Sequence, residues 1–192
     1  MTEAPLFALG LALACLAGVR AYLTVFGLGL AASLGWVELP PGLQAVSSPW
    51  VLATAGALTL LEFSADKIPG VDSGWDLLQT LLRIPVGAFL AAATLSPDGR
   101  LGVGGLALGA GAALLTHGVK SSTRALINLS PEPASNWTAS LTEDAVALAS
   151  LALAFSHPVW ALLLLLGSLA LLALIVVWLM RRLLGLFRTA PG

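Results

Sequence analysis

The sequence predicts an all-α polytopic membrane protein of six transmembrane helices, built as two inverted three-helix repeats. Three observations carry this. The 192 residues are 58% hydrophobic and only 10% charged, with a mean hydropathy of +0.94. A soluble domain carries about 25% charged residues, and a chain this short could not cover so much apolar surface. Apolar runs recur along the whole chain, several of them long enough to cross a hydrocarbon core of about 30 Å. Finally, the two halves (residues 1–98 and 99–192) can be overlaid. Gly18-Val19-Arg20 matches Gly118-Val119-Lys120, and downstream Ser48 matches Ser140 and Phe63-Ser64 matches Phe155-Ser156. Three spans per repeat would set the halves in opposite orientations, with a site at their interface.

The first apolar run extends from Pro5 to Gly35. At 1.5 Å per residue it is roughly 45 Å long, too long for one straight crossing, so it must tilt, bend or break. Arg20, just after Gly18, marks the expected break. Gly10, Ala14 and Gly18 form a small-residue stripe that admits a close helix neighbour. Cys15 lies in the same run, reads as a small packing hydrophobe, and as the single cysteine gives no disulfide framework. Glu38 to Ser48, with Pro40, Pro41 and Gly42, reads as a loop. Ser48-Pro49 is an N-cap followed by proline, opening a second helix to about Phe63.

A polar loop with Pro69, Gly70 and Gly74 leads to a third run, Trp75 to Leu95, and Ser96-Pro97-Asp98-Gly99 is a turn. The fourth run, Leu101 to Ile127, is glycine-rich early (Gly102, Gly104, Gly105, Gly109, Gly111) and polar late. Asn128 to Ala139 reads as a loop, and Ser140-Leu-Thr-Glu143 as a capping box opening the fifth helix, which ends near His157-Pro158. The sixth run, Val159 to Met180, is followed by Arg181, Arg182 and Arg188. This basic cluster places the C-terminus in the cytoplasm, and an even span count places the N-terminus there too. Trp36, Trp50, Trp75, Trp137 and Trp160 fall at span ends, as interfacial anchors do.

The chemistry gathers where charge enters the apolar runs. LEFSADKIPGVDSGWDLLQTLLR (Leu61 to Arg83) contains Glu62, Asp66, Lys67, Asp72, Asp76 and Arg83. Arg20 is about 24 Å of helix from Pro5, too deep to snorkel easily, so it should face the bundle interior with a partner. Two readings are open. Arg20 and Lys120 form a repeat-related cationic pair for an anion or phosphate headgroup, or they are neutralised by Glu62, Asp66, Glu143 or Asp144 as a structural network. Glu62 is the best placed of the carboxylates to relay a proton.

Carboxylates at this density have the oxygen chemistry of Mg²⁺ or Ca²⁺ ligands, but their spacing fits no dedicated ion loop, and salt bridges with Lys67 and Arg83 explain them better. His117 and His157 have no second histidine or cysteine nearby and read as hydrogen-bonded packing residues. No nucleophile elbow appears, so the chain is expected not to be an enzyme and to carry neither metal nor cofactor. A net charge of −1 argues against nucleic acid.

The stretches GVRAYLTVFGLGLAA, LEFSADKIPGVDSGWD, HGVKSSTR and SPEPASNWTASLTED together resemble a bacterial integral-membrane family, domain of unknown function 4126. The pattern Asp66-Lys67-x-Pro69-x-x-Asp72-x-x-Trp75-Asp76 is its specific part. The resemblance implies a multi-span membrane protein and brings no activity with it.

The functional expectation is movement of a small solute, ion or lipid headgroup, in the bacterial inner membrane. Arg20, Glu62, Asp66, Lys67, Asp72, Asp76, Arg83, His117, Lys120, Arg124, Glu143 and Asp144 would line or close the path. The partners expected are the lipid bilayer, the solute, and a second copy, since a homodimer would help enclose a path. The rivals are a structural membrane protein whose charges only pair with one another, and a membrane-embedded enzyme acting on lipid.

Overall fold

The computed structural model describes residues 3–68, 71–96, 100–128 and 133–188, without the side chains at 71–73, 75–77, 133, 135–136 and 183–188. The described residues are helical, with no strand among them: α1 (Glu3–Ser33), a 3-10 helix (Pro41–Ser47), α2 (Pro49–Ala65), α3 (Val71–Thr94), α4 (Val103–Ile127), α5 (Pro133–Ser156) and α6 (Pro158–Arg188). Three helical stretches are long and apolar enough to cross a membrane: α1, Trp137–Ser156 and Pro158–Arg182. The 3-10 helix and α2, bent by 67° at their junction, make a fourth if they count as one span. This all-helical, partly apolar architecture is compatible with a membrane protein.

α1 organises the bundle. Its first arm is buried almost continuously, with Ala12, Leu13, Ala14, Leu16 and Ala17 at most 1% exposed. The helical geometry fails at Arg20 (φ −143°, ψ 80°), the expected break. Past it the second arm folds back, so Glu3, Leu6 and Phe7 from one end of α1 and Trp36 to Pro41 just beyond the other line a single cavity of about 1190 Å³. Thr94, Ser96 and Phe155 complete its wall. A straight helix of this length would hold its ends roughly 45 Å apart. The expectation of one α1 crossing, with the N-terminus and the Glu38 loop on opposite faces, therefore does not describe this geometry. Both belong to the cavity pole.

α3 and α4 form an antiparallel hairpin that the first arm of α1 packs against. The contact is close because small residues line it. A Cβ on Gly87 would meet Ala113 Cβ at 2.5 Å, Gly109 O at 3.2 Å and Ala14 O at 3.3 Å. Gly10 packs on Ala91 and Thr94, and Gly18 on Ala113 and Thr116, as the small-residue stripe predicts. In α4 the glycine run divides: Gly105 and Gly109 face α3, while Gly104 and Gly111 meet nothing within 4 Å. Cys15 is buried at 2% exposure within the apolar core.

Several boundaries differ from the sequence reading. The proline-rich segment after Leu39 is not a plain loop but winds into a 3-10 turn. Its prolines fix φ, and Gly42 sits close on Ala93. α3 starts at Val71, so Gly74 is helical. The largest correction is α5, which starts at Pro133, so Ser140 and Glu143 are interior residues and no capping box opens the helix there. Ser48, by contrast, does cap α2, accepting from Val51 N at 3.4 Å, so Ser48 and Ser140 are not structural equivalents. Exposed Trp36, Trp50, Trp137 and Trp160 sit at or near helix ends, as does Trp178 toward the end of α6. The Trp75 side chain, the turn at 97–99 and residues 129–132 lie outside the described residues.

Candidate functional site

The pole opposite the cavity gathers the charge that the apolar sequence had to place somewhere. α2 delivers Glu62 in its last turn and Asp66 as its C-cap. α3 brings Gln79 and Arg83 on one face, four residues apart and both buried. α4 brings His117, Lys120 and Arg124 at helical spacing. α5 brings Ser140, Glu143 and Asp144, and the α1 bend inserts Arg20 between them.

Arg20 is 1% exposed and is the hub. Its Nη1 donates to Asp66 Oδ2 and lies 4.0 Å from Glu62 Oε1. Its Nη2 lies 2.9 Å from Asp144 Oδ1 and 3.7 Å from Glu143 Oε2, with Ser140 O and Oγ each at 3.4 Å. Burying a guanidinium is tolerable only with such partners. Lys120 Nζ shares the same carboxylates, 3.7 Å from Asp66 Oδ2 and 3.5 Å from Glu143 Oε2. It also donates to Val19 O at 3.3 Å, capping a carbonyl that the bend in α1 exposes. Arg124 grips Glu143 with two bonds, Nε to Oε1 at 2.8 Å and Nη2 to Oε2 at 3.1 Å.

Arg83 and Glu62 form a second, deeper pair, Nη2 to Oε1 at 2.6 Å, with both side chains at most 1% exposed. Arg83 Nη1 stands 3.0 Å from His117 Nδ1. A guanidinium only donates, so Nδ1 must accept, which leaves Nε2 as the N–H facing Thr80 Oγ1 at 2.6 Å. Both ring nitrogens of His117 are thus hydrogen-bonded. Lys67 is peripheral: it donates to Phe63 O at 2.9 Å and lies 3.9 Å from Asp144 Oδ2.

Not every polar atom is matched. Glu62 Oε2, Asp66 Oδ1, Gln79 Oε1 and Asp144 Oδ2 are buried with no hydrogen-bond donor, as Arg20 Nε and Arg83 Nε are with no acceptor. Among the described residues no three His, Cys, Asp or Glu side chains converge to hold a metal ion.

The structure therefore brings Arg20, Glu62, Asp66, Arg83, His117, Lys120, Arg124, Glu143 and Asp144 into one network, with Lys67 at its edge. The Asp72 and Asp76 side chains lie outside the described residues. Sequence reasoning missed Ser140, hidden by the mistaken cap, and Gln79, whose four-residue spacing to Arg83 was an available signal. The network joins the two halves of the chain, α1–α3 to α4 and α5. No curated protein and no solved structure matches this sequence. Residues 7–182, nearly the whole chain, match the family described as Domain of unknown function (DUF4126), and the protein belongs to that family.

Proposed function

We propose that this is a small transporter-like membrane protein that passes a small solute, ion or lipid headgroup through the polar locus at the α1 bend. The observation that carries the reading is a helix broken at a buried charge, with charged side chains of both halves meeting there. A helix that serves only to span has no use for an interrupted backbone at such a point. Discontinuous helices beside buried charge are a recurring way to build a solute site. The two inverted three-helix repeats remain part of the proposal, as residues 1–98 and 99–192. Phe63-Ser64 and Phe155-Ser156 end α2 and α5, which run toward opposite poles as an inversion requires, whereas the first arm of α1 and α4 both run toward the charged pole and depart from that pattern.

In this reading the charged pole faces the cytoplasm of a bacterial inner membrane, where Arg181 and Arg182 would also lie, and the N-terminal end faces outward with the cavity. The exposed apolar faces of α5 and α6 meet lipid or a second copy. No catalysis is assigned.

A second reading has a specific observation behind it. Arg20, Arg83, Lys120 and Arg124 each lie within 4.0 Å of a carboxylate, as a purely structural network requires. A thermal-shift screen of the detergent-purified protein across oxyanions, divalent cations and phospholipids separates the two, because a ligand that binds the folded state raises its apparent stability. The transport reading predicts a shift with one class that Arg20→Gln abolishes. Stability lost in Arg20→Gln with no shift from any class would leave the structural reading in place.

A further inference from the structure

The cavity of about 1190 Å³ at the pole opposite the network has a wall of one electrostatic sign. Glu3 and Glu38 are its charged side chains, and no lysine, arginine or histidine is among its described lining residues. Elsewhere the carboxylates are paired: Glu62, Asp66, Glu143 and Asp144 each lie within 4.0 Å of a cation. Glu3 and Glu38 are the other two carboxylates whose side chains are described, and among the described residues neither has such a partner. The carboxylates left over from the network therefore both stand on the cavity wall.

The uncharged polar groups of the wall add acceptors rather than donors. Thr94 Oγ1 donates to Leu90 O at 2.6 Å, and Ser96 Oγ has Ala92 O at 2.7 Å and Arg100 O as acceptors for its proton. A hydroxyl with its proton committed presents lone pairs. The start of α1 brings free N–H groups and partial positive charge to the same pole; Glu3, in its first turn, offsets them, which leaves Glu38 in excess. Phe7, Trp36 and Phe155 also line the cavity, and the rest of the wall is aliphatic. Aromatic faces attract cations.

We propose that this cavity binds an organic ammonium ion, a positively charged nitrogen on an apolar body, either free or as a lipid headgroup. The carboxylates and aromatic rings would hold the nitrogen, and the aliphatic wall the body. Ligand cavities run from about 300 to 1,000 Å³, so a whole small molecule fits. A bare metal ion fits poorly: it needs several converging oxygen ligands, and no three His, Cys, Asp or Glu side chains converge among the described residues. The site lies at the far pole from the charged network and stands whether or not that network passes a solute.

The test is equilibrium dialysis of benzyltrimethylammonium, whose charge is independent of pH, against the protein in an uncharged detergent, with protein-free micelles as the blank. Binding should saturate, and benzyl alcohol, the neutral control, should bind at least about tenfold more weakly. Glu3→Gln/Glu38→Gln should weaken the ammonium about tenfold, and Trp36→Leu about two- to fivefold. All three residues are exposed, so the variants should keep the wild-type helix content by circular dichroism. No saturable binding below about 10 mM overturns the proposal. So does equal binding of benzyl alcohol, or wild-type affinity in the folded Glu3→Gln/Glu38→Gln variant. Phosphatidylcholine added to the micelles distinguishes the two sources: competition with the probe assigns the ammonium to a lipid headgroup, and lack of competition assigns it to a free solute.

Discussion

Arg83→Met tests how the deep pair is held. In the folded protein Glu62 Oε1 accepts from Arg83 Nη2 at 2.6 Å, and its next cation, Arg20, is 4.0 Å away. Oε2 has no donor at all. Methionine replaces the arginine stem but leaves a carboxylate, 1% exposed, without its direct partner. Breaking a buried pair in this way costs about 3–5 kcal/mol. His117 Nδ1 also loses a donor, adding about 1 kcal/mol. Against a total stability of about 5–15 kcal/mol, the single variant should be severely weakened. Removing the charge as well, in Glu62→Gln/Arg83→Met, should recover most of the loss, since a neutral pair has no bare charge to bury. Reversible unfolding in mixed micelles, read by tryptophan fluorescence, gives the double-mutant cycle. A coupling of about 2 kcal/mol or more is expected. A single-variant cost below about 1 kcal/mol, or additive effects, would refute the claim that Arg83 neutralises Glu62.

Two further outcomes test the packing. Gly87→Val should destabilise by about 1–3 kcal/mol or more, because even its Cβ would press on Ala113 and on the Gly109 and Ala14 carbonyls; Gly111→Ala, facing open space, should be nearly neutral by the same unfolding assay. Cys15 should resist maleimide in the folded protein and label fully once denatured, since burial in the core shields it; rapid labelling under native conditions would contradict its place there.

How much of this was legible in the sequence depended on which signal each element carried. The helical class, the α2 cap at Ser48-Pro49 and the α5–α6 junction at His157-Pro158 follow from local chemistry, which sequence displays directly. The break at Arg20 was legible because an apolar run of that length cannot cross straight. Its consequence was not: fold-back is decided by what packs on each arm, here α3 and α4 on one and α2 on the other. The Ser140 error has a related cause. Ser-x-x-Glu reads as a capping box only if the chain ahead is not helical, and residues 134–139 are helical without an apolar stripe to announce it. The carboxylates around Arg20 and Lys120 are among those the sequence offers as partners, Glu62, Asp66, Glu143 and Asp144, but which of them is in direct contact is not legible, since Arg20 reaches Asp66 and Asp144 across long separations. That the charges would pair at all was foreseeable from the energy of burying them.

The reversal of α1 brings Arg20 to the charged pole and both ends of the helix to the other, and the proposed site depends on it. The direct measurement is the distance between spin labels at Phe7→Cys and Trp36→Cys in a Cys15→Ala background, by double electron–electron resonance in micelles. Both residues line one cavity, so the account predicts a distance under about 25 Å, well short of the roughly 40 Å or more that an uninterrupted helix imposes. A distribution centred at the longer value would mean that α1 runs straight, that the charged network does not assemble around Arg20, and that the proposed site does not exist.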